Sequence, residues 1–212
     1  MTFGPREVDA LQELASIGCG QAITALGKLC GRRLEMDVPE AWVGAETGAI
    51  ASFLGALGQD VLTVGVKLEG RLSGDLLLAL PEPDAEALAA ILGFPVDRSA
   101  PAGWAGMAES ALLESGNIVG SAFVSAVAAL VHEKLLLSVP ALARGSGKAC
   151  VEALVAHAGS VALATRFSCA PEGSVRGLEG LILVMPDPEG IAALVGHLLS
   201  EQRDEPGPAR GD

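Results

Sequence analysis

Hydrophobic positions recur with two different periods along this chain. Between residues 7 and 31, Leu11, Leu14, Ala15, Ala22, Ala25, Leu26 and Leu29 fall at helical spacings. Between 107 and 132, Leu112, Val119, Phe123, Ala126 and Leu130 do the same. Each ladder is the core stripe of a buried amphipathic helix. After each helix the pattern shifts to short apolar stretches of strand character. These are 34–43, 48–54, 61–69 and 72–80 in the first half, and 134–142, 149–157, 160–169 and 178–185 in the second. His157-Ala-Gly-Ser160 reads as a hairpin turn between two of them.

The halves also end alike. Leu76-Leu-Leu-Ala-Leu-Pro-Glu-Pro-Asp84 aligns with Leu181-Ile-Leu-Val-Met-Pro-Asp-Pro-Glu189 at a shift of 105 residues. Each is an apolar strand stopped by proline, then an acidic first turn opening a helix, over 84–93 and 188–199. The chain therefore reads as two repeats, about 1–93 and 106–200, with a Pro/Gly/Ala-rich joint at 94–105. A half of this size would leave an apolar face exposed, so the two halves are expected to bury those faces against each other in one domain over 1–200. The polar, proline-containing segment 201–212 reads as a disordered tail.

Composition narrows the function classes. Half of the 212 residues are hydrophobic and 19% are charged, which fits a packed globular chain. The net charge of −12 repels phosphate backbones and anionic lipid, which argues against nucleic acid and membrane surfaces as partners. The apolar run Ala122–Val131 is short of the roughly 20 residues of a spanning helix. With no secretory leader visible at Met1, the expected setting is the cytoplasm. The four cysteines form no C-x-x-C pair and the three histidines are dispersed, so no metal site is expected and the thiols read as buried and reduced.

The candidate chemistry is a polar signature that occurs twice. Ser110, Glu114, Asn117 and Pro140 read S-x3-E-x2-N-x22-P, and Asp9, Glu13, Ser16 and Pro39 read D-x3-E-x2-S-x22-P, shifted by 101 at all four positions. At ~100° per residue, Ser110, Glu114 and Asn117 share one helix face, which Ser121 and Ser125 continue opposite Phe123 and Leu130. A polar stripe is usually just a solvated face, but such faces favour Glu/Lys pairs over Glu-x-x-Asn. Gly116 and Gly120 flank the stripe, each costing roughly 1 kcal/mol in a helix, so a close approach is expected there. Pro39 and Pro140 are expected at a sheet edge, where a missing N–H is tolerated. Other motifs fail. Gly145-Ser-Gly-Lys148 lacks the rest of a phosphate loop, Gly18-Cys-Gly20 lacks the third glycine of a dinucleotide fingerprint, and no Gly-x-Ser-x-Gly elbow is present.

In these residues the chain resembles the CheC/CheX/FliY family of chemotaxis phosphatases, and CheC most of all. CheX members are shorter, and FliY members add a C-terminal switch-complex domain. The resemblance implies an α/β (α+β) fold with internal duplication and pseudo-two-fold symmetry. In it, a largely antiparallel sheet carries two long motif helices packed together with their polar stripes outward. It implies removal of the phosphoryl group from the aspartate of a CheY-like response regulator. Asn117 would orient the attacking water and Glu114 would anchor the regulator's lysine, with Ser110 and Pro140 supporting them. The chain would need no cofactor of its own, the Mg²⁺ belonging to the regulator. Asp9, Glu13, Ser16 and Pro39 would form a degenerate first site, weak or inactive because a serine hydroxyl is shorter than an amide. The alternative implied reading is an adaptor that binds the deamidase CheD or the phosphorylated regulator, with catalysis secondary.

Overall fold

The computed structural model describes residues 3–43, 53, 55, 57–58, 60–96, 104, 106–146, 161–173 and 176–204. In chain order the elements are α1 (Pro5–Cys30), β1 (Glu35–Met36), β2 (Glu40–Val43), β3 (Val61–Gly70), β4 (Gly74–Pro81) and α2 (Glu82–Ile91). They continue with α3 (Met107–Val131), β5 (Leu135–Leu137), β6 (Ala141–Gly145), β7 (Val161–Cys169), β8 (Leu178–Pro186) and α4 (Pro188–Asp204). The strands form an eight-stranded antiparallel sheet in the order β1-β7-β8-β4-β3-β5, with β2 also on β7 and β6 also on β3. This is the mixed α/β architecture with an antiparallel sheet that the resemblance implies; the pattern of periods accounts for the helices and strands but not for their pairing.

Both long helices form where expected, and local chemistry fixes their ends. Pro5 occupies the first turn of α1, and the Glu7 carboxylate reaches back to accept from the Gly4 N–H at 2.6 Å. Gly31 ends α1 in the left-handed conformation (φ 64°), and His132 ends α3 in the same way (φ 50°). These residues are 101 apart, like the polar signature. Histidine carries a Cβ into that conformation and glycine does not, so the second cap is the more strained.

The helices pack on one face of the sheet and on each other. Leu11, Leu14, Leu26, Leu112, Val119 and Phe123 are buried against Leu62, Val64, Val66, Leu78, Leu163 and Ile182. A Cβ on Gly18 would stand 2.5 Å from the Phe123 ring, so α1 and α3 meet closely there. The opposite sheet face carries Leu77, Ala79, Leu181 and Leu183 beneath Trp42 and Phe53, whose rings meet edge to face at 5.2 Å. Among the described residues α3 alone is long and apolar enough to cross a membrane, contrary to the expectation from its apolar run. Its apolar face is used in this core instead.

Three expectations need correction. The stretches 34–43 and 134–142 are not continuous strands. Each breaks around its proline, into β1 and β2 or into β5 and β6. Of the expected strand 48–54 only Phe53 is described, and it is helical, while 149–157 and the turn at 157–160 lie outside the described residues. Finally, α4 runs to Asp204, four residues into the expected tail. Glu201-Gln-Arg-Asp204 contains no helix breaker, and the first proline comes only at Pro206.

Asp187 ties α4 to the sheet. Its carboxylate accepts from the Gly190 N–H at 2.7 Å, capping the helix, and from the Ser73 hydroxyl at 2.8 Å and N–H at 3.1 Å in the β3–β4 turn. Partial burial alone would raise its pKa, but hydrogen bonds from Gly190, Ser73 and Glu189 outweigh this and hold it below the usual value of 3.8. A carboxyl whose folded pKa is depressed stabilises the fold above its unfolded pKa, and that stabilisation is lost as pH falls through the folded value. Asp187→Ala is expected to cost about 0.5–2 kcal/mol at pH 7, the usual range for a lost cap. The gap between variant and wild type should narrow as the pH is taken from 7 into the acid range and through the depressed folded value, where the wild-type carboxyl protonates. Thermal melts at pH 7 and across that acid range check both parts.

Candidate functional site

Each motif proline sits in a β-bulge at an edge of the sheet. Between the pairs Met36↔Phe167 and Glu40↔Ala164, three residues of the edge (Asp37, Val38, Pro39) oppose two of β7. Between Leu137↔Leu68 and Ala141↔Gly65, Ser138, Val139 and Pro140 likewise oppose two residues of β3. The bonding matches as well. The Asp37 N–H donates to the Arg166 carbonyl at 3.0 Å, and the Ser138 N–H donates to the Lys67 carbonyl at 3.0 Å. A hydroxyl completes each bulge. Thr165 donates to the Asp37 carbonyl at 2.8 Å, and Ser138 Oγ accepts from the Lys67 N–H at 2.9 Å. Proline has no N–H to give to a ladder, so an extra residue closed by proline ends the pairing locally. Both prolines are thus at the expected edges.

The helix stripe points outward. Ser110 and Glu114 are exposed on α3, Asn117 is half-buried beside them, and Ser121 and Ser125 continue the exposed line. Met107, 62% exposed, heads it one turn before Ser110. The Ser110 hydroxyl is turned back onto its own helix, donating to the Gly106 carbonyl at 3.0 Å. Among the described residues, Glu114 and Asn117 have no hydrogen-bond or ion-pair partner. Their polar groups are free to engage something outside the chain.

The first half presents a different face. Asp9, Glu13 and Ser16 are all exposed on α1, and Pro39 is buried in its bulge. The Ser16 hydroxyl donates to the Gln12 carbonyl at 2.8 Å. Its proton is therefore held by the helix backbone, a bond that serine and threonine make readily and asparagine does not.

The close approach expected at Gly116 and Gly120 is present. Both glycines face the chain's own sheet. A Cβ on Gly116 would overlap Val64 Cγ1 and stand 2.8 Å from Val64 Cβ. One on Gly120 would lie 2.9 Å from Val66 Cγ2 and 3.2 Å from Leu137 Cδ1. These glycines lower α3 onto β3 and β5, and so set the height of Asn117 relative to the bulge at Pro140.

Among the described residues, alternative chemistry is weak elsewhere. Burial pushes the Cys19 thiol up to about 12 and the Cys30 thiol to about 11, so neither is a nucleophile near neutral pH. Among the described residues no three His, Cys, Asp or Glu side chains are grouped to hold a metal ion. Asp84 is buried in the first turn of α2. Burial raises its pKa against the opposing pull of Arg176, whose Nη2 donates to its carboxylate at 3.0 and 3.2 Å. That pair fastens α2 to the loop before β8 and lies outside the motif.

The sequence reading passed over Val38 and Val139. Each immediately precedes a motif proline, and each is 86% exposed. The signal was present, since Val-Pro recurs at the same shift of 101.

No protein-family model matches the chain. It is 30% identical over 135 residues to the CheY-P phosphatase CheC of Bacillus subtilis (strain 168), covering 63% of this chain and 64% of that protein. It is also 24% identical over 196 residues to the putative CheY-P phosphatase CheC1 of Halobacterium salinarum, covering 91% of this chain and 96% of that one. The chain is homologous, at low identity, to the CheC/CheX/FliY superfamily. Its fold matches that of Thermotoga maritima FliY with a TM-score of 0.66 at 15% identity, over 95% of this chain and all of that one. The similarity to the Bacillus protein spans just under two thirds of that protein's length.

Proposed function

We propose that this chain, closest in kind to CheC, is a phosphatase that hydrolyses the aspartyl phosphate of a CheY-like response regulator. The observation that carries the reading is the pair Glu114 and Asn117, one turn apart on an outward helix face and without partners in the chain. The names of the relatives point to the same substrate. In the proposed reaction a water oxygen bonds to phosphorus as the bond to the aspartyl oxygen breaks, releasing phosphate and the free carboxylate. Such transfers pass through a loose transition state, so positioning and charge placement matter more than a strong base. The Asn117 carboxamide offers one acceptor and donors to a water without repelling the anionic phosphoryl group. Glu114, a turn away, suits the regulator's lysine as a charge-assisted hydrogen-bond partner. The regulator brings its own Mg²⁺, and the setting is the cytoplasm.

We assign the two halves to an internal duplication with pseudo-two-fold symmetry. Exchanging β1 with β5, β3 with β7 and β4 with β8 reverses the strand order onto itself. The 105-residue shift also converts the pair Leu77↔Leu183 into Leu78↔Ile182, which is itself a pair at the centre of the sheet. On this reading Ser16 occupies the place of Asn117 with its proton committed to Gln12.

Decay of a phosphorylated CheY-type regulator, followed with wild type and with Glu114→Ala, tests the assignment. The variant should lose about tenfold or more in kcat/KM, in line with loss of a hydrogen bond to a charged group. A wild-type chain that does not accelerate the decay would sink the proposal. Ser16→Asn should raise the rate above wild type, up to about twofold if the first site then equals the second. No gain would locate the defect of the first site in residues besides Ser16.

A further inference from the structure

Between the end of α3, the start of β5, the β3–β4 turn and α4 lies a cavity of about 30 Å³. Its floor is apolar, made by the buried side chains of Val131, Leu135 and Leu194. Ala193 forms a wall, and Arg71, Glu133 and His197 surround the mouth. The volume is room for two or three water-sized groups, but the apolar floor gives water nothing to bond. Comparing the halves shows what is missing there. Ala193 stands 105 residues after Leu88, which is fully buried in the first half. Leucine exceeds alanine by an isopropyl group, and the second half lacks it. Glu133 stands 101 residues after Arg32. The Arg32 side chain is folded in, 10% exposed, and donates to the Arg176 carbonyl at 3.3 Å. Glu133 instead makes an exposed ion pair with Arg71 at the cavity mouth. The first half thus supplies from its own chain the apolar group and the folded-in cation that the second half leaves out.

We propose that this cavity binds a free branched-chain aliphatic amino acid of the leucine type. The branched side chain takes the place of the missing isopropyl group on the floor formed by Val131, Leu135 and Leu194. At the mouth, Arg71 receives the α-carboxylate and Glu133 the α-ammonium. An exposed ion pair contributes little to stability, so parting this one is cheap. A zwitterion set between its partners exchanges one weak pair for two charge-assisted contacts, one of them to the fork of a guanidinium. An apolar hole under a guanidinium and a carboxylate also selects against polar side chains, which would lose their hydration on the floor without a partner. The site needs nothing from the phosphatase reading. It adjoins that machinery nonetheless, since Val131 ends the helix that carries Asn117 and Leu135 opens the strand that leads to Pro140.

Titration of the full chain with leucine, followed by calorimetry and by amide NMR shifts, is the test. One leucine should bind per chain, with the shifts concentrated around Val131–Leu135 and along α4. Two analogues separate the contacts. Isocaproate lacks the ammonium and isopentylamine lacks the carboxylate, and each should bind about tenfold or more weakly, as expected for loss of a charged hydrogen bond. Glu133→Gln should weaken leucine by a similar factor and leave isocaproate unchanged or improved, because Arg71 is then released from its pair. Ala193→Leu restores the side chain of the first half, so it should abolish leucine binding while melting at or above the wild-type temperature. Should that variant fail to fold, Arg71→Gln, a change at an exposed side chain, replaces it and should weaken leucine and isocaproate alike. A folded wild-type chain that binds no leucine at millimolar concentration overturns the proposal, whatever that chain does to a phosphorylated regulator. Binding that survives Ala193→Leu, or that is indifferent to both Glu133→Gln and Arg71→Gln, places the ligand elsewhere and overturns it as well.

Discussion

Replacing Asn117 with alanine should lower the rate of regulator dephosphorylation by about 100-fold, to little above the regulator's own decay. The magnitude is that of removing one preorganised group from a transition state, about 2.7–4 kcal/mol in comparable sites. A group that contacts water only as it attacks contributes to the transition state and little to binding. kcat and kcat/KM should therefore fall together, with KM almost unchanged. Asn117→Asp separates shape from charge. It keeps the size of the side chain but sets a carboxylate against the phosphoryl group, so it should be no more active than the alanine variant. Neither change should unfold the protein, because Asn117 makes no hydrogen bond within the described chain. If Asn117→Ala turns over the regulator at the wild-type rate, the catalytic assignment is wrong.

The second large effect concerns Gly116, which has no polar chemistry at all. Alanine in a helix is favoured over glycine by about 1 kcal/mol, so propensity alone would make Gly116→Ala stabilising. Here the added methyl would overlap Val64 Cγ1, and overpacking of this kind costs about 1–3 kcal/mol or more. The expected net result is a loss of about 1–2 kcal/mol in denaturant unfolding. Val64→Ala removes the opposing methyl groups, so the double variant should be more stable than the sum of the singles predicts. A coupling of about 1 kcal/mol would locate the strain at that contact. The folded fraction of Gly116→Ala should also lose activity, because lifting α3 moves Asn117 away from the bulge. A displacement near 1 Å is enough to cost about 100-fold where catalysis depends on positioning. Additive stabilities with full activity would contradict the role given to this glycine.

Much of this arrangement is legible in the sequence. The long helices were marked by three- and four-residue ladders such as Leu11–Leu14 and Val119–Phe123, because burial imposes that spacing on any helix against a sheet. The strands β3, β4, β7 and β8 were equally plain, being apolar on both faces. The edges were not. Periodicity reports which residues are buried, and a one-residue bulge leaves the apolar content of 34–43 and 134–142 unchanged while breaking their pairing. The proline within each stretch was the better guide. At Gly116 the close approach was legible and its direction was not. A missing side chain shows that something comes close without showing from which side, and here it was Val64 rather than a visitor. The candidate site was found because it occurs twice, and comparing Ser16 with Asn117 turned a polar stripe into a chemical hypothesis. Val38 and Val139 were overlooked because an apolar residue in a strand reads as core.

The bulges also decide how this protein ends. A sheet edge with a long run of unpaired N–H and C=O groups is a template on which another chain can build. The outer strands here are two to five residues long, and each edge is interrupted by an extra residue and a proline. Among the described residues neither edge offers an incoming strand a continuous register, which opposes the extension of one copy's sheet by another at high concentration. This duty is independent of catalysis and falls on both halves alike. It gives Pro39 a reason to stand opposite β7 even though the helix beside it carries a serine where the other carries an amide.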